Sequence, residues 1–579
     1  MSLPIEPALP ALWAALEAHG SVVLQAPPGA GKTTRAPLYL LERGQPGRIL
    51  MLEPRRVAAR AAAERLASGL GEPLGRAVGY RIRGEGVAGA RIEVVTEGVL
   101  TRMIQADPEL DGVGCVIFDE IHERGLQADL GLALALEIRG ALRPDLRVAA
   151  MSATLDAAPV AALMGGAPLV TAEGRAFPVE TRWLERPWAR PGPGGPRFEE
   201  AVAGLVREAL AETEGGVLVF LPGQAEIERV AARLGAPEGV VVQPLHGGLS
   251  FARQREALAP FAGRRRVVLA TSIAETSLTI PDVRVVVDGG RARRARFDPA
   301  SGMSRLVTER ATRAEAEQRR GRAGRVAPGW CFRLWTRGEE GAMAEFAPPE
   351  IARADLTGLA LELAIWGVAD PSAMAFLTPP PAAALAEARA LLRGLGALDD
   401  EGRATAHGAA LAALPLHPRL GHMLVEAAAR GARDLAADLS AILGARDPLR
   451  GEGGRAPVDL GLRLGALRDP GRAEAEHPVR VDRAAVAALR AEAKRLRGVT
   501  RGRPGPGLSP GAALSLAYPD RIGQRRDGGA PRWLLSGGKG AALPAEDPLA
   551  GARWIVAAEL DGDPREAVVR LAAPVEEAE

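Results

Sequence analysis

Two short stretches carry residue types whose spacing suits phosphate chemistry. The run SVVLQA (21–26) leads into PPGAGKTT (27–34), and a helical pattern follows. In such a loop the backbone N–H groups of Gly29, Ala30, Gly31 and Lys32 face an anion at a helix N-terminus, where the peptide dipoles favour negative charge. Lys32 is placed to reach the outer phosphates of a nucleotide, and the Thr33 hydroxyl, followed by Thr34, to ligate Mg²⁺. The chain holds only three lysines, Lys32, Lys494 and Lys539, among 73 basic residues. A compact ammonium at position 32 therefore stands out against an arginine background, because a planar guanidinium is a different tool. The first glycine of the usual phosphate loop is Ala26 here, small enough to permit the turn. The second stretch, CVIFDEIHER (115–124), ends an apolar run on Asp119 and Glu120. Asp119 at a strand end suits Mg²⁺, and Glu120 suits polarisation of an attacking water. Together the two stretches imply a Mg²⁺-dependent nucleoside triphosphatase.

The elements that must position these groups are short buried strands alternating with helices. GRILMLEP (47–54), ARIEVVTE (90–97), GCVIFDE (114–120) and DLRVAAMSA (145–153) join SVVLQA as apolar runs bounded by turn residues, with amphipathic stretches such as RVAARAAAERLASGL (56–70) between some of them. Continuous apolar runs are the mark of parallel strands covered on both faces, so the first segment is a doubly wound α/β domain. After the Pro/Gly-rich stretch 186–197 a second set follows, GGVLVFLPG (215–223), GVVVQPLHG (239–247), RRVVLATS (265–272) and VRVVVDGG (283–290). Helical patterns take over beyond about residue 341, and the last segment, with WLLSGG (533–538) and RWIVAAEL (553–560), is β-like.

With 579 residues, 47% hydrophobic and 25% charged, the chain is a multidomain globular protein and not a disordered or fibrous one. No charge-free stretch is long enough to cross a membrane. Cys115 and Cys331 are the only cysteines, which leaves no disulfide framework or multi-cysteine metal site and reads as cytoplasmic in type. A net charge of +2 gives no global polyanion signal, but arginine clusters at 264–266, 291–296 and 319–325. Such runs fit phosphate binding or simply an arginine-rich, alanine-rich composition. His407, His417, His422 and His477 lack a cysteine or carboxylate cluster at ligand spacing, and read as helix or loop histidines satisfied by their neighbours.

Taken in order, APPGAGKTT, EPRRVAAR, TEGVL, DEIHER, SAT, LPGQAEI, TSIAETSLTI and QRRGRAGR resemble the DEAH-box helicases of superfamily two, over nearly the whole chain. AYPDRIGQRR (517–526) and LLSGGKGA (534–541) are most similar to a bacterial subgroup of that family. The resemblance implies two tandem RecA-like P-loop domains (1–172 and 173–340), a winged-helix-like segment (341–410), a ratchet-like helical bundle (411–505) and a partial, OB-like β-barrel end (506–579), which is either cut short or naturally brief. It implies ATP, with other nucleoside triphosphates accepted, as substrate alongside Mg²⁺, single-stranded or tailed RNA as partner, and a monomer that moves 3′ to 5′. Gln318 would position the water, Arg322 and Arg325 would reach the γ-phosphate from the second lobe, and His122 would link the carboxylate motif to that lobe. Arg65 and Phe261 would sandwich the base, although core packing is the alternative for Phe261. Ser152 and Thr154 would couple the nucleotide site to the RNA path, where Arg55, Arg56 and Thr96 would meet phosphates. Ser272 stands where many relatives carry asparagine, so its RNA contact is open. A hairpin at 291–312 would separate strands, or would be an ordinary hairpin with a basic face. Two other readings stay open: an RNA-binding clamp switched by nucleotide, and a DNA-directed motor with the same engine.

Overall fold

The computed structural model of the chain describes every residue except 1–2, 28, 83, 154–156, 174–176, 189–196, 236, 250, 261–262, 276–279, 299–302, 452–455, 503–506 and 564–565. Thr154 and Phe261 thus lie outside the described residues, as does the tip of the expected hairpin. The chain divides into two compact units, one of Met1–Ala295, Leu306–Ala352 and Ser372–Pro379, the other of Arg296–Arg305, Arg353–Pro371 and Pro380–Glu579.

The first unit holds two parallel sheets. Its first lobe joins β1 (Ser21–Gln25), β2 (Arg48–Leu52), β3 (Val78–Ile82), β4 (Glu85–Val87), β5 (Ile92–Val95), β6 (Val113–Phe118), β7 (Arg147–Ser152) and β8 (Leu169–Thr171) in the order β4-β3-β5-β2-β6-β7-β1-β8. Only the β3–β4 pairing is antiparallel. Gln25 pairs with Ser152 and Phe118 with Ala150, so the carboxyl ends of β1, β7 and β6 lie side by side. Val22, Leu24, Met51, Val116 and Ile117 are at most 1% exposed. Each such side chain stabilises the fold by about 1.5–3 kcal/mol relative to exposure. The helix Arg56–Gly69 lays its buried alanines and Leu66 against this sheet at helical spacing.

The second lobe contains β9 (Val179–Leu184), β10 (Gly216–Phe220), β11 (Val240–Leu245), β12 (Arg265–Ala270) and β13 (Val283–Asp288), then the paired arms β14 (Arg291–Asp298) and β15 (Met303–Arg310), then β16 (Gly329–Thr336). Its sheet runs β11-β12-β10-β13-β16-β9, parallel throughout. Both lobes have more strands than the apolar runs announce. β8 is three residues long, and β9 is half-exposed and alternates charge with apolar residues, as an edge strand does.

In the second unit the helical stretch is present, including Thr357–Ile365, Ala382–Gly394, Ala406–Ala412, Pro418–Ala429, Arg433–Leu443 and Arg483–Val499, with a small ladder between β17 (Leu449–Gly451) and β18 (Val479–Val481). The β-like end is a barrel, and where the sequence reading expected a partial one, the structure closes it. β19 (Ile522–Arg525), β20 (Arg532–Leu535), β21 (Gly540–Ala542), β22 (Trp554–Leu560) and β23 (Glu566–Pro574) join in the cycle β19-β20-β21-β23-β22. Closure comes from a parallel pairing of β21 with β23, which bridges strands far apart in sequence. Trp533 fills the interior, fully buried, its indole N–H donating to the Ala552 carbonyl at 3.1 Å. Among the described residues no helix is long and apolar enough to cross a membrane.

Candidate nucleotide site

The loop after β1 is shaped by two glycines in the left-handed region, Gly29 at φ +85° and Gly31 at φ +100°. A Cβ on Gly31 would come within 2.8 Å of Leu3 Cδ1, so the N-terminal segment holds the loop closely. Ile5 N–H donates to the Ala30 carbonyl at 3.2 Å, and Ala26 N–H donates to the Ser152 carbonyl at 3.0 Å. Ala26 is fully buried, which shows how a small residue serves at this position. The helix Lys32–Glu42 starts directly on the lysine, and Thr34 Oγ1 donates back to the Gly31 carbonyl at 3.3 Å.

This turn brings the two motifs together. Lys32 Nζ lies 3.1 Å from both Glu120 carboxylate oxygens, and Thr33 Oγ1 donates to Asp119 Oδ2 at 2.6 Å. Lys32, Asp119 and Glu120 are all at most 5% exposed. Glu120 adopts φ +51° and Arg124 φ +53°, bracketing the turn Ile121–Glu123. A non-glycine residue in this region costs about 1–3 kcal/mol and persists where surrounding contacts impose it. Here Glu120 N–H donates to Asp119 Oδ1 at 2.8 Å, and the carboxylate is aimed at Lys32. Burial opposes the charge on each of these groups. Lys32 and then His122 nevertheless hold Glu120 below the usual carboxylate range, and Glu120 with Asp119 holds Lys32 above its ordinary value. Asp119 is pushed up by burial and by its neighbour Glu120. The donor set fits a Mg²⁺-nucleotide: a loop of backbone N–H groups, a buried ammonium, and a hydroxyl beside a carboxylate.

His122 is linked within the first lobe. Its Nδ1 accepts from Ala153 N–H at 3.2 Å and lies 3.4 Å from Glu120 Oε2, while burial lowers its pKa. The carboxylate motif is therefore tied to the segment that holds Ser152. Ser152 itself is buried at the end of β7.

The second lobe contributes arginines from the helix Arg313–Arg320 and the turn after it. Thr312 starts this helix with a reciprocal cap, accepting from Glu315 N–H at 3.3 Å while Glu315 accepts from Thr312 N–H at 2.7 Å. Gln318 is half-buried on it. Arg322 is buried and donates to the Glu275 carbonyl. Burial, then the like charge of Arg325, lowers its pKa against the attraction of Glu120. Burial pulls Arg325 down to about 10, with Glu120 attracting it and Arg65 repelling it. Both arginines thus sense the first-lobe carboxylate, Glu120, whose charge opposes the effect of burial. Arg65 is exposed on the helix Arg56–Gly69.

The residues expected to meet RNA have mixed surroundings. Arg55 bridges the lobes, donating to the Ser272 and Ile273 carbonyls at 3.2 and 3.4 Å and to Glu123 at 3.1 Å. Its guanidinium is already engaged, which the EPRR motif alone does not reveal. Arg56 is exposed at a helix start, Thr96 is half-buried and precedes the helix Glu97–Ala106, and Ser272 is exposed. Sequence reasoning missed Glu53, fully buried close enough to Lys32 to favour its charge. It also missed Arg319, which donates to Glu275 at 2.7 Å and to Asp288 at 2.8 Å while 2% exposed. The available signal was Asp288 at the end of a buried strand, where Asp119 stands in the other lobe.

Residues 9–163 match the family described as DEAD/DEAH box helicase, and residues 200–327 that described as helicase conserved C-terminal domain. The ATP-dependent RNA helicase HrpB of Escherichia coli (strain K12) is 44% identical over 562 residues, 96% of this chain and 66% of that protein. The probable ATP-dependent RNA helicase DHX34 of Homo sapiens is 38% identical over 423 residues, 71% of this chain and 37% of that one. A crystal structure of the E. coli DExH-box NTPase HrpB covers 100% of this chain with a TM-score of 0.84 at 43% identity, using 69% of that chain. A crystal structure of the Escherichia coli DEAH/RHA helicase HrpB gives 0.86 at 42% identity, using 71%. The chain spans 66% or less of the length of these curated relatives.

Proposed function

The chain belongs to the DEAD/DEAH-box helicase family, and from that premise we propose that it hydrolyses ATP to move along single-stranded RNA and remodel its duplexes. The observation that carries the proposal is the buried pairing of Lys32 with Glu120 beside Thr33 and Asp119. An ammonium is a compact charge that can change partner. When ATP phosphates occupy the loop Gly29–Lys32, Lys32 turns from Glu120 to them, and Glu120 is left to polarise the attacking water. Thr33 and Asp119 are the residues that would hold Mg²⁺, which supplies neutralisation of phosphate charge when bound. Arg322 and Arg325 take up the charge that develops on the γ-phosphate, with Gln318 steering the water. Arg65 stacks on the base, and this contact reads no base edge.

Coupling to RNA has two supports. Hydrogen bonds from Ala26 and to His122 tie the phosphate loop and the carboxylate motif to the segment of Ser152 and Ala153. Arg55 ties the first lobe to the backbone at Ser272, so a change between the lobes alters the surface on which Arg56, Thr96 and Ser272 lie. Contacts to phosphates make the binding sequence-tolerant and salt-sensitive. The arms β14 and β15 serve as strand separator, movement runs 3′ to 5′, and the five-segment division read from the sequence describes the motor's parts.

The test is steady-state ATPase with single-stranded RNA, with single-stranded DNA of the same sequence, and with neither. Stimulation by RNA alone, followed by unwinding of a 3′-tailed duplex, is the expected result. Equal stimulation by DNA would replace RNA with a DNA track, and RNA-stimulated hydrolysis without strand separation would make the chain a nucleotide-switched clamp. Hydrolysis indifferent to both nucleic acids would overturn the proposal.

A further inference from the structure

A second cluster of ligating side chains lies in the other unit, unrelated to the nucleotide site. His407 stands on the helix Ala406–Ala412, and His422 and Glu426 on the helix Pro418–Ala429. Residues four apart share a helix face, so His422 and Glu426 point the same way. His407 Nε2 lies 2.8 Å from His422 Nδ1, with the rings edge to face at 5.0 Å between centroids. One ligand atom from each of the three residues falls within 4.8 Å of the other two, and all three are half-buried.

The backbone beneath the cluster is fixed. Thr405 caps the first helix, its Oγ1 accepting from Gly408 N–H at 3.0 Å. Gly408 has no room for a side chain, since a Cβ would sit 2.1 Å from the Ala397 carbonyl oxygen. The first helix is therefore packed closely on the chain at Ala397, and from it His407 meets His422 of the second helix. A hydrogen bond between two imidazoles needs no carboxylate, yet Glu426 converges on the same point, and its ion pair with Arg430 is long at 3.6 Å.

We infer that His407, His422 and Glu426 form a binding site for a divalent transition metal of the zinc class. Two neutral imidazole nitrogens and one carboxylate oxygen are the borderline donor set that such ions favour, whereas Mg²⁺ and Ca²⁺ require more oxygens. Metal–nitrogen distances of about 2.0–2.1 Å in a tetrahedral site place the two nitrogens about 3.3 Å apart, so the present pair opens by roughly half an ångström. Water completes the coordination. The ion would staple the helix Ala406–Ala412 to the helix Pro418–Ala429, and the positive charge of Arg430 beside Glu426 limits its affinity.

The experiment uses the full chain without an affinity tag, stripped by chelator and kept in excess Mg²⁺ to occupy oxygen-only sites. Titration with Co²⁺ is expected to give one equivalent of tetrahedral-type visible absorption, displaced by one equivalent of Zn²⁺. Glu426→Gln weakens Zn²⁺ binding by about tenfold or more, His407→Gln with His422→Gln abolishes it, and Arg430→Gln strengthens it. On the unaltered chain, Zn²⁺ protects His407 and His422 from diethylpyrocarbonate while the other histidines react at the same rate, a readout that needs no variant to fold. Absence of saturable binding, an unchanged cobalt spectrum in the double variant, or no protection of these two histidines would overturn the inference.

Discussion

Each lobe of the first unit ends a central strand on an aspartate, Asp119 after β6 and Asp288 at the end of β13, and each sets a buried cation near it. The two arrangements differ in what they leave available. Arg319 spends its fork on Glu275 and Asp288 and lies over the Phe220 ring at 5.2 Å, so its charge is matched from two sides. Lys32 hydrogen-bonds one carboxylate, Glu120, at the mouth of a loop of backbone donors, while Asp119 and Glu53 attract its charge without a direct bond. One pair braces its lobe, and the other is the pair that the proposed reaction exchanges for nucleotide phosphates. The lesson is that burial of an ion pair says little about its role until the partners of each charge are counted.

The sharpest way to break this comparison is Glu120→Gln. The variant keeps the size of the side chain and a hydrogen bond to Lys32 but cannot take up a proton, so turnover falls by about 10²–10⁴-fold while ATP still binds. Single-turnover hydrolysis alongside nucleotide binding by calorimetry checks both halves, and normal turnover would remove Glu120 from the mechanism. Lys32→Ala differs in kind. It weakens nucleotide binding as well and leaves Glu120 buried without its main counter-charge.

The opposite outcome is expected in the other lobe. Arg319→Ala leaves Glu275 and Asp288 buried without the fork that bonds them both, at a cost of about 3–5 kcal/mol of stability. Arg319→Lys does not restore it, because one ammonium cannot replace a fork that spans two carboxylates. Chemical denaturation measures both. A variant as stable as the parent, yet slow in hydrolysis, would make Arg319 part of the reaction and erase the contrast between the lobes.

What could be read from the sequence follows the same division. PPGAGKTT and DEIHER are contiguous, and their chemistry is visible because each is a strand end with its loop. Their meeting depends on β1 and β6 flanking β7, which strand order supplies and no spacing announces. The brace formed by Glu275, Asp288 and Arg319 draws on three segments, so a reader of QRRGRAGR sees four arginines without knowing which of them is already matched. His407 and His422 looked unrelated for the same reason, since a turn between two helices brings them together and Glu426 is only apparent once the helix face is known. Short or half-exposed edge strands such as β8 and β9 lack the apolar runs that mark the central ones, and the closure of the barrel rests on a parallel pairing that skips over β22.

Another carboxylate, Glu97, refines the comparison, because among the described residues the charges that act on it are all negative. Glu97 opens the helix Glu97–Ala106 next to Thr96, and burial pushes it up to about 8, with Glu350, Glu123 and Asp129 adding like charge. The nearby carboxylates are spoken for, Glu350 accepting from Leu126 N–H at 2.8 Å and Asp129 from Arg124 at 3.0 Å. Glu97 therefore keeps its proton in the folded chain at neutral pH, while the unfolded chain releases it near the ordinary carboxylate value. Below that value both states are protonated and nothing is lost. As pH rises toward and through about 8, the folded state is progressively penalised, first for holding a proton that the unfolded state has shed and then for burying a charge. Glu97→Gln removes the titration while keeping the shape. Its stability should match the parent's near pH 4 and exceed it at pH 9, where a rise from the ordinary carboxylate value to about 8 amounts to several kcal/mol at about 1.4 kcal/mol per pKa unit, read by chemical denaturation at each pH. Equal stability at both pH values would mean that a counter-charge reaches Glu97 after all, and that it differs from Glu120 and Asp288 in its partners less than its surroundings indicate.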